Sequence, residues 1–220
     1  MLVLCAALSV RAETIDRVVA TVNGHPILQS DVDEAVRYEA FVEGKPLNSL
    51  SSAQADATLQ RLVDQELLHQ QMSELPVDVA PETLQEKIGE IRKERGDTPE
   101  QWQRNLAAYG LDEDTFTILL KKQLQTMAFV DHRLRPSIVI DRVAVETYYR
   151  NTFLPQLRKS GATREPAFND VQQKIREVLT QQRVDDMLSN WLRSLRQQAR
   201  VRILVEGAQV ASSGGGTATN

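Results

Sequence analysis

The sequence predicts a mostly α-helical fold carrying one small antiparallel sheet, and three observations lead there. Residues 18–28, VVATVNGHPIL, place Asn23-Gly24 between two apolar runs. Both central positions of a type I′ hairpin turn need positive φ, which Asn and Gly tolerate. Nearly everything from Ser30 to Ala199 carries helix signals instead: apolar residues three and four apart, caps and first-turn prolines. The remaining good strand candidate is Val201-Arg-Ile-Leu-Val205. A lone hairpin is marginal in water, so the hairpin and this distant run are expected to pair, folding the last helix back onto the first.

Taken in order, Ser30 with Asp33 three residues on suggests the start of the first helix. It runs to about Phe41 and ends before Gly44 and Pro46. Residues 43–52, EGKPLNSLSS, read as a loop in which Ser51 or Ser52 caps the next helix, about 53–74. Leu59, Leu62, Val63, Leu67 and Met72 lie near one stripe of it, and Leu75-Pro76-Val77 stops it. Pro81-Glu82 opens a helix through Leu84, Ile88 and Ile91 that Gly96 closes. Thr98-Pro99-Glu100 repeats that start for a short helix with Trp102, Leu106 and Tyr109, closed by Gly110. Asp112 caps a long helix with Phe116, Leu119, Leu120, Leu124 and Met127 that ends at Pro136. Ser137–Asp141 is an extended link, and Asp141 caps a helix through Val145, Tyr148 and Tyr149. Asn151–Pro166, with Pro155, Gly161 and Pro166, reads as a loop. A last helix spans about 168–199. The tail from Ala211, ASSGGGTATN, has nothing to bury and is expected to be disordered.

The composition is that of a soluble protein, with a charged fraction of 25% and a hydrophobic fraction of 41%. A net charge of −4 argues against a general nucleic-acid binder, which normally carries a basic excess. The first dozen residues, MLVLCAALSVRA, resemble the apolar region and cleavage site of a secretory signal, without its basic start. Residues 1–12 are therefore expected to be a truncated signal peptide directing export, and they are too short to span a bilayer. Acylation at Cys5, which Leu4 precedes, is the alternative. Removal of that segment leaves no cysteine, hence no disulfide and no Cys-based metal site.

Chemistry-bearing patterns are missing. His25, His69 and His132 have no metal-ligand spacing, and no HExxH, G-x-S-x-G or phosphate-binding glycine loop occurs. The pairs Asp31/Asp33 and Asp112/Asp114 sit at helix starts, where they complement the dipole. No catalytic residue, metal or cofactor is expected.

The order of the pieces carries a resemblance. RVVATVNGHPILQSDVDEAV (17–36), with Val22-Asn23-Gly24, Ile27 and Ser30-Asp-Val-Asp33, is similar to the opening of the SurA-like periplasmic chaperones. LQRLVDQELLHQQ (59–71) resembles that family's next helix. TPEQWQRNLAAYGLDEDTFTILLKKQL (98–124) resembles the block that follows, with Leu106, Gly110 and Phe116 in register. The likeness covers roughly residues 15–150, and 168–205 more loosely. It implies a helical SurA N-terminal-type chaperone domain over 13–205, made of an N-terminal part to 150, a short loop at 151–166, and a returning helix and strand from 167, with 206–220 as tail.

The resemblance further implies an ATP-independent holdase for unfolded or partly folded polypeptides, typically outer-membrane proteins crossing the periplasm. In related foldases a parvulin-type prolyl isomerase domain of on the order of 90–100 residues fills the slot that here holds Asn151–Pro166. Such sites use a histidine pair, and no histidine follows His132, so isomerase activity is not expected. Candidate client contacts are Phe41, Met72, Trp102, Tyr109, Phe116, Met127, Tyr148 and Tyr149. Helical-stripe aromatics are more often core, and methionine suits an adaptable surface. Two other readings stay open: an isomerase-family protein with residual or no activity, and an adaptor docking one specific partner.

Overall fold

The computed structural model describes residues 16–49, 51–73, 77–161 and 164–204. The expected signal at 1–12 with Cys5, the helix stop at Leu75-Pro76, and Val205 with the tail lie outside the described residues.

Strands β1 (Val18–Val22) and β2 (His25–Leu28) form the expected hairpin. Asn23 and Gly24 both take positive φ, 53° and 93°, as a type I′ turn requires. The C-terminal run forms β3 (Val201–Ile203), and the sheet order is β2-β1-β3, antiparallel throughout. Val22 faces Val201 and Ala20 faces Ile203. Asn23 secures the closure twice. Its N–H donates to the Arg200 carbonyl at 3.0 Å, and its side-chain oxygen accepts from the Arg200 N–H at 2.9 Å. The sequence suggests several buried aliphatics on β3, but Val201 is half-buried while Ile203 and Leu204 are exposed.

Helix α1 spans Gln29–Glu43 and α2 spans Ser52–Met72. The start of α1 differs from expectation. Leu28 occupies the cap position and its N–H donates to the Asp31 carboxylate at 2.8 Å. The Ser30 hydroxyl instead donates to the Asp16 carboxylate, ahead of β1, which holds that acid below its usual pKa. Ser51 caps α2, its Oγ accepting from the Gln54 N–H while its own N–H donates to Gln54 Oε1, a complete capping box. Helices α3 (Pro81–Arg95), α4 (Pro99–Ala108) and α5 (Glu113–Leu134) begin and end where prolines, Thr98, Gly96 and Asp112 set them.

After a 3₁₀ turn at Arg135–Ser137, α6 (Arg142–Tyr148) starts at Asp141 as expected. The expected loop from Asn151 is a misreading of Pro155. The chain passes from α6 through a π turn, Tyr149–Phe153, into α7 (Leu154–Lys159) without leaving helical geometry. Proline lacks an N–H and its ring clashes with the carbonyl four residues back, here Asn151. Widening the turn by one residue relieves that clash, and the Leu154 N–H reaches the Tyr149 carbonyl. Proline thus changes the helix without ending it.

Helix α8 (Phe168–Gln198) has 31 residues and spans about 46 Å at 1.5 Å per residue. Among the described residues it organises two of three buried clusters. Near the sheet, Val22, Ile27, Val32, Val63 and Leu67 pack with Leu195, Ala199 and Val201. Farther along, Leu68, Val130, Leu134 and Val184 pack with Leu188, Trp191 and Leu192. The third cluster joins the end of α1 to α3, α4 and α5 without α8. Arg196 pins α8 to α2, donating to Asp64 Oδ1 at 2.6 Å, Gln60 Oε1 at 2.8 Å and the Gln60 carbonyl at 2.9 Å.

Candidate functional site

Five aromatic rings gather where α1, α4 and α5 meet. Phe41 lies edge-on to Trp102, Tyr109 and Phe116, with centroids 5.1, 5.4 and 5.5 Å away. Trp102 and Phe116 meet edge-on at 5.1 Å, and Tyr38 adds a tilted contact to Phe116 at 5.3 Å. Edge-to-face pairs set the positive ring rim on the negative face, which adds to the apolar burial. Arg95 closes one side, its guanidinium 4.1 Å from the Phe41 centroid and donating to the Phe41 carbonyl at 2.6 Å.

Of the candidate contacts, Phe41, Trp102 and Phe116 are buried, each at most 2% exposed. The physical reason is the company they keep, since each ring fills space against the others. Tyr109 is half-buried on the edge of this box and its hydroxyl donates to the Lys45 carbonyl at 3.0 Å.

Burial also raises the Tyr38 phenol pKa to about 12, while its hydroxyl donates to Gln123 Oε1 at 2.8 Å. A group held neutral by the fold contributes stability that is fully present below the unfolded pKa near 10 and is lost as pH rises towards about 12. Denaturant titrations should therefore weaken across that window, and Tyr38→Phe should flatten the loss. An equally steep loss in Tyr38→Phe would remove Tyr38 as its source.

The other four candidates lie elsewhere. Met72 is half-buried at the end of α2, and Met127 on α5 is 58% exposed. Tyr148 and Tyr149 are half-buried at the entry to the π turn. Two aromatics absent from the candidate set join Tyr149 there. Phe153 stacks on it at 6.0 Å and Phe168, opening α8, meets it edge-on at 5.4 Å. The Tyr149 hydroxyl donates to the Pro166 carbonyl at 2.8 Å, tying α8's approach to the turn. Phe153 stands four residues after Tyr149, a same-face signal that reading the segment as a loop conceals. Val139 and Val143, 88% and 71% exposed, add apolar surface on either side of the Asp141 cap.

The exposed and half-buried residues among these can offer apolar contact and ring faces. Among the described residues no group of three or more His, Cys, Asp or Glu could hold a metal ion. The Asp112 carboxyl lies below its usual range because the Thr115 N–H it caps favours the charged form. No described helix is long and apolar enough to cross a membrane.

Comparison with known proteins supplies the remaining findings. A family model described as the SurA-like N-terminal domain matches residues 3–129. The chaperone SurA of Nitrosococcus oceani is 30% identical over 156 residues, which cover 70% of this chain and 35% of that protein. Chaperone SurA of Yersinia pestis is 27% identical over 150 residues, 66% of this chain and 34% of that one. The counterpart from Escherichia coli O157:H7 is 27% identical over 143 residues, 61% and 32%. The chain spans about a third of the length of these curated relatives. Among solved structures, a chain from work on two structurally related SurA-like chaperones of Campylobacter jejuni aligns with a TM-score of 0.50 at 12% identity. The alignment covers 85% of this chain and 98% of that one, and at such identity the likeness is one of fold.

Proposed function

The chain belongs to the SurA-like N-terminal domain family, and from that premise we propose that it is an ATP-independent periplasmic chaperone, a holdase for unfolded or partly folded polypeptides. Its preferred clients are outer-membrane proteins in transit, and it has no prolyl isomerase activity of its own. Residues 13–205 act as one chaperone unit, in which the segment 151–166, now seen to include α7, stands where related foldases insert an isomerase domain. Export through residues 1–12 delivers it.

The observation that carries the reading is the distribution of apolar groups. The box around Phe41 is closed on itself, whereas Tyr149, Phe153 and Phe168 stay half-buried and Met127, Val139 and Val143 stand exposed. Ring faces and a flexible thioether suit extended segments of varied sequence, since neither demands one partner geometry. Apolar contact also screens little, so salt should barely weaken it, unlike a charge-driven complex that fades over a Debye length of about 8 Å.

Several unrelated proteins diluted from denaturant, outer-membrane barrels among them, should aggregate less with stoichiometric chaperone and no nucleotide. The variant Met127→Ser/Val143→Ser should lose about half of that suppression or more while melting within about 0.5 kcal/mol of the parent, as exposed substitutions do. An X-Pro peptide should relax at its uncatalysed rate, over tens to hundreds of seconds. Failure to suppress aggregation, or activity towards a single protein alone, rejects the holdase reading in favour of an adaptor.

A further inference from the structure

Among the described residues no strand covers the outer edge of β3, and we infer that this edge binds extended polypeptide segments alternating acidic and apolar residues, by strand addition. The inference goes beyond the holdase reading, because it assigns a second surface and a partner of stated chemistry.

Register supplies the first half of the argument. Asn23 bonds to Arg200 and Leu204 to Val19 across the β1–β3 pair. In an antiparallel ladder the hydrogen-bonding groups alternate in direction. The N–H and C=O of Val201 and Ile203 therefore point away from β1, and among the described residues no strand lies beyond β3. Ile203 and Leu204 are 38% and 49% exposed there. An edge of this kind is a template for another extended chain.

Charge supplies the second half. Arg200 and Arg202 point to the same face of the sheet, as alternate residues do, and line a shallow cavity of about 270 Å³ with Thr21, Asn23 and Gly24. Both are exposed, and neither guanidinium has an acidic partner among the described residues. Residues opposite Arg202 on an added antiparallel strand fall at a non-hydrogen-bonded position, where side chains lie closest. Acids opposite Arg200 and Arg202 alternate with apolar residues opposite Val201 and Ile203. A second copy is disfavoured as occupant, because full antiparallel overlap of β3 with itself sets Arg202 against Arg202.

The test uses the whole chain and two labelled heptapeptides, Val-Glu-Val-Glu-Val-Glu-Val and its lysine counterpart, followed by fluorescence anisotropy. The glutamate peptide should bind more tightly by about tenfold or more, and Arg200→Glu/Arg202→Glu should reverse the preference. Ile203→Pro removes an outward N–H while leaving the inward bonds of residues 202 and 204, so it should weaken binding without moving the thermal melt. Equal affinity for both peptides overturns the inference, as does binding indifferent to these substitutions. Sedimentation showing dimers that Arg202→Glu abolishes overturns it in favour of a second copy. A chain cut after Leu204 that binds far better than the full chain overturns it in favour of the residues beyond. Aggregation suppression without peptide preference defeats this inference and leaves the holdase reading standing, whereas the converse upholds this one alone.

Discussion

Phe116→Ala should destabilise the protein by about 3–5 kcal/mol, the range for truncating a buried phenylalanine. Its ring is fully buried and lies within 5.5 Å, centroid to centroid, of Tyr38, Phe41 and Trp102. The rings around it also pack on one another, so the loss combines transfer energy with a cavity. Against a whole stability of about 5–15 kcal/mol, that is a large share. For a chain of this size the melting temperature should fall by about 6–20 °C. Urea titration and a thermal melt read the effect directly. A variant that melts like the parent yet loses client binding would return Phe116 to the contact surface.

Cutting the chain after Asn190 should do still more damage. The cut removes Trp191, which sits 5.9 Å from Phe129 and beneath the Arg133 guanidinium at 4.7 Å. It also removes Leu192, Leu195, Ala199 and Val201 from two clusters, and the three bonds of Arg196 to α2. At about 25 cal/mol per Å² of apolar area, four such side chains amount to several kcal/mol. The cooperative melt should disappear. A cut after Arg200 is far milder, because Asn23 keeps both bonds to Arg200 and the strand itself buries little beyond Val201. A loss of about 1–3 kcal/mol is expected there, from ladder bonds and one half-buried valine. Equal melting temperatures for the two cuts would mean that the end of α8 does not support the sheet.

What the sequence made legible follows from local physics. Asn23-Gly24 announces its turn because few other pairs accept two positive φ values. Thr98 and Asp112 announce helix starts because their side-chain oxygens accept otherwise unpaired N–H groups. The pairing of β3 with β1 followed from need, since neither strand segment stands alone. Exposure was less legible. Phe41 and Tyr149 are both aromatics on helices, and only the surrounding rings decide that one is sealed and the other half-open. Pro155 misled because a proline that widens a helix and one that ends it have the same sequence signature. Thr58 was missed for a related reason. It is buried on α2, and only the fold brings Glu39 within 2.9 Å to accept its hydroxyl.

The bond between Asn23 and Arg200 joins residues 177 positions apart, and this separation has a consequence for timing. A hairpin delivered first must wait for the last helix before its third strand exists. Helix formation takes about a microsecond or less, so the helices assemble quickly, whereas the sheet closes only after a long loop has been ordered. Non-local pairing of this kind slows folding relative to a simple helical bundle. Until it closes, the β1 edge that will receive β3 is bare and can pair with a neighbouring chain. Newly made protein is therefore most vulnerable to self-association at its first strand, in the interval before its last one arrives.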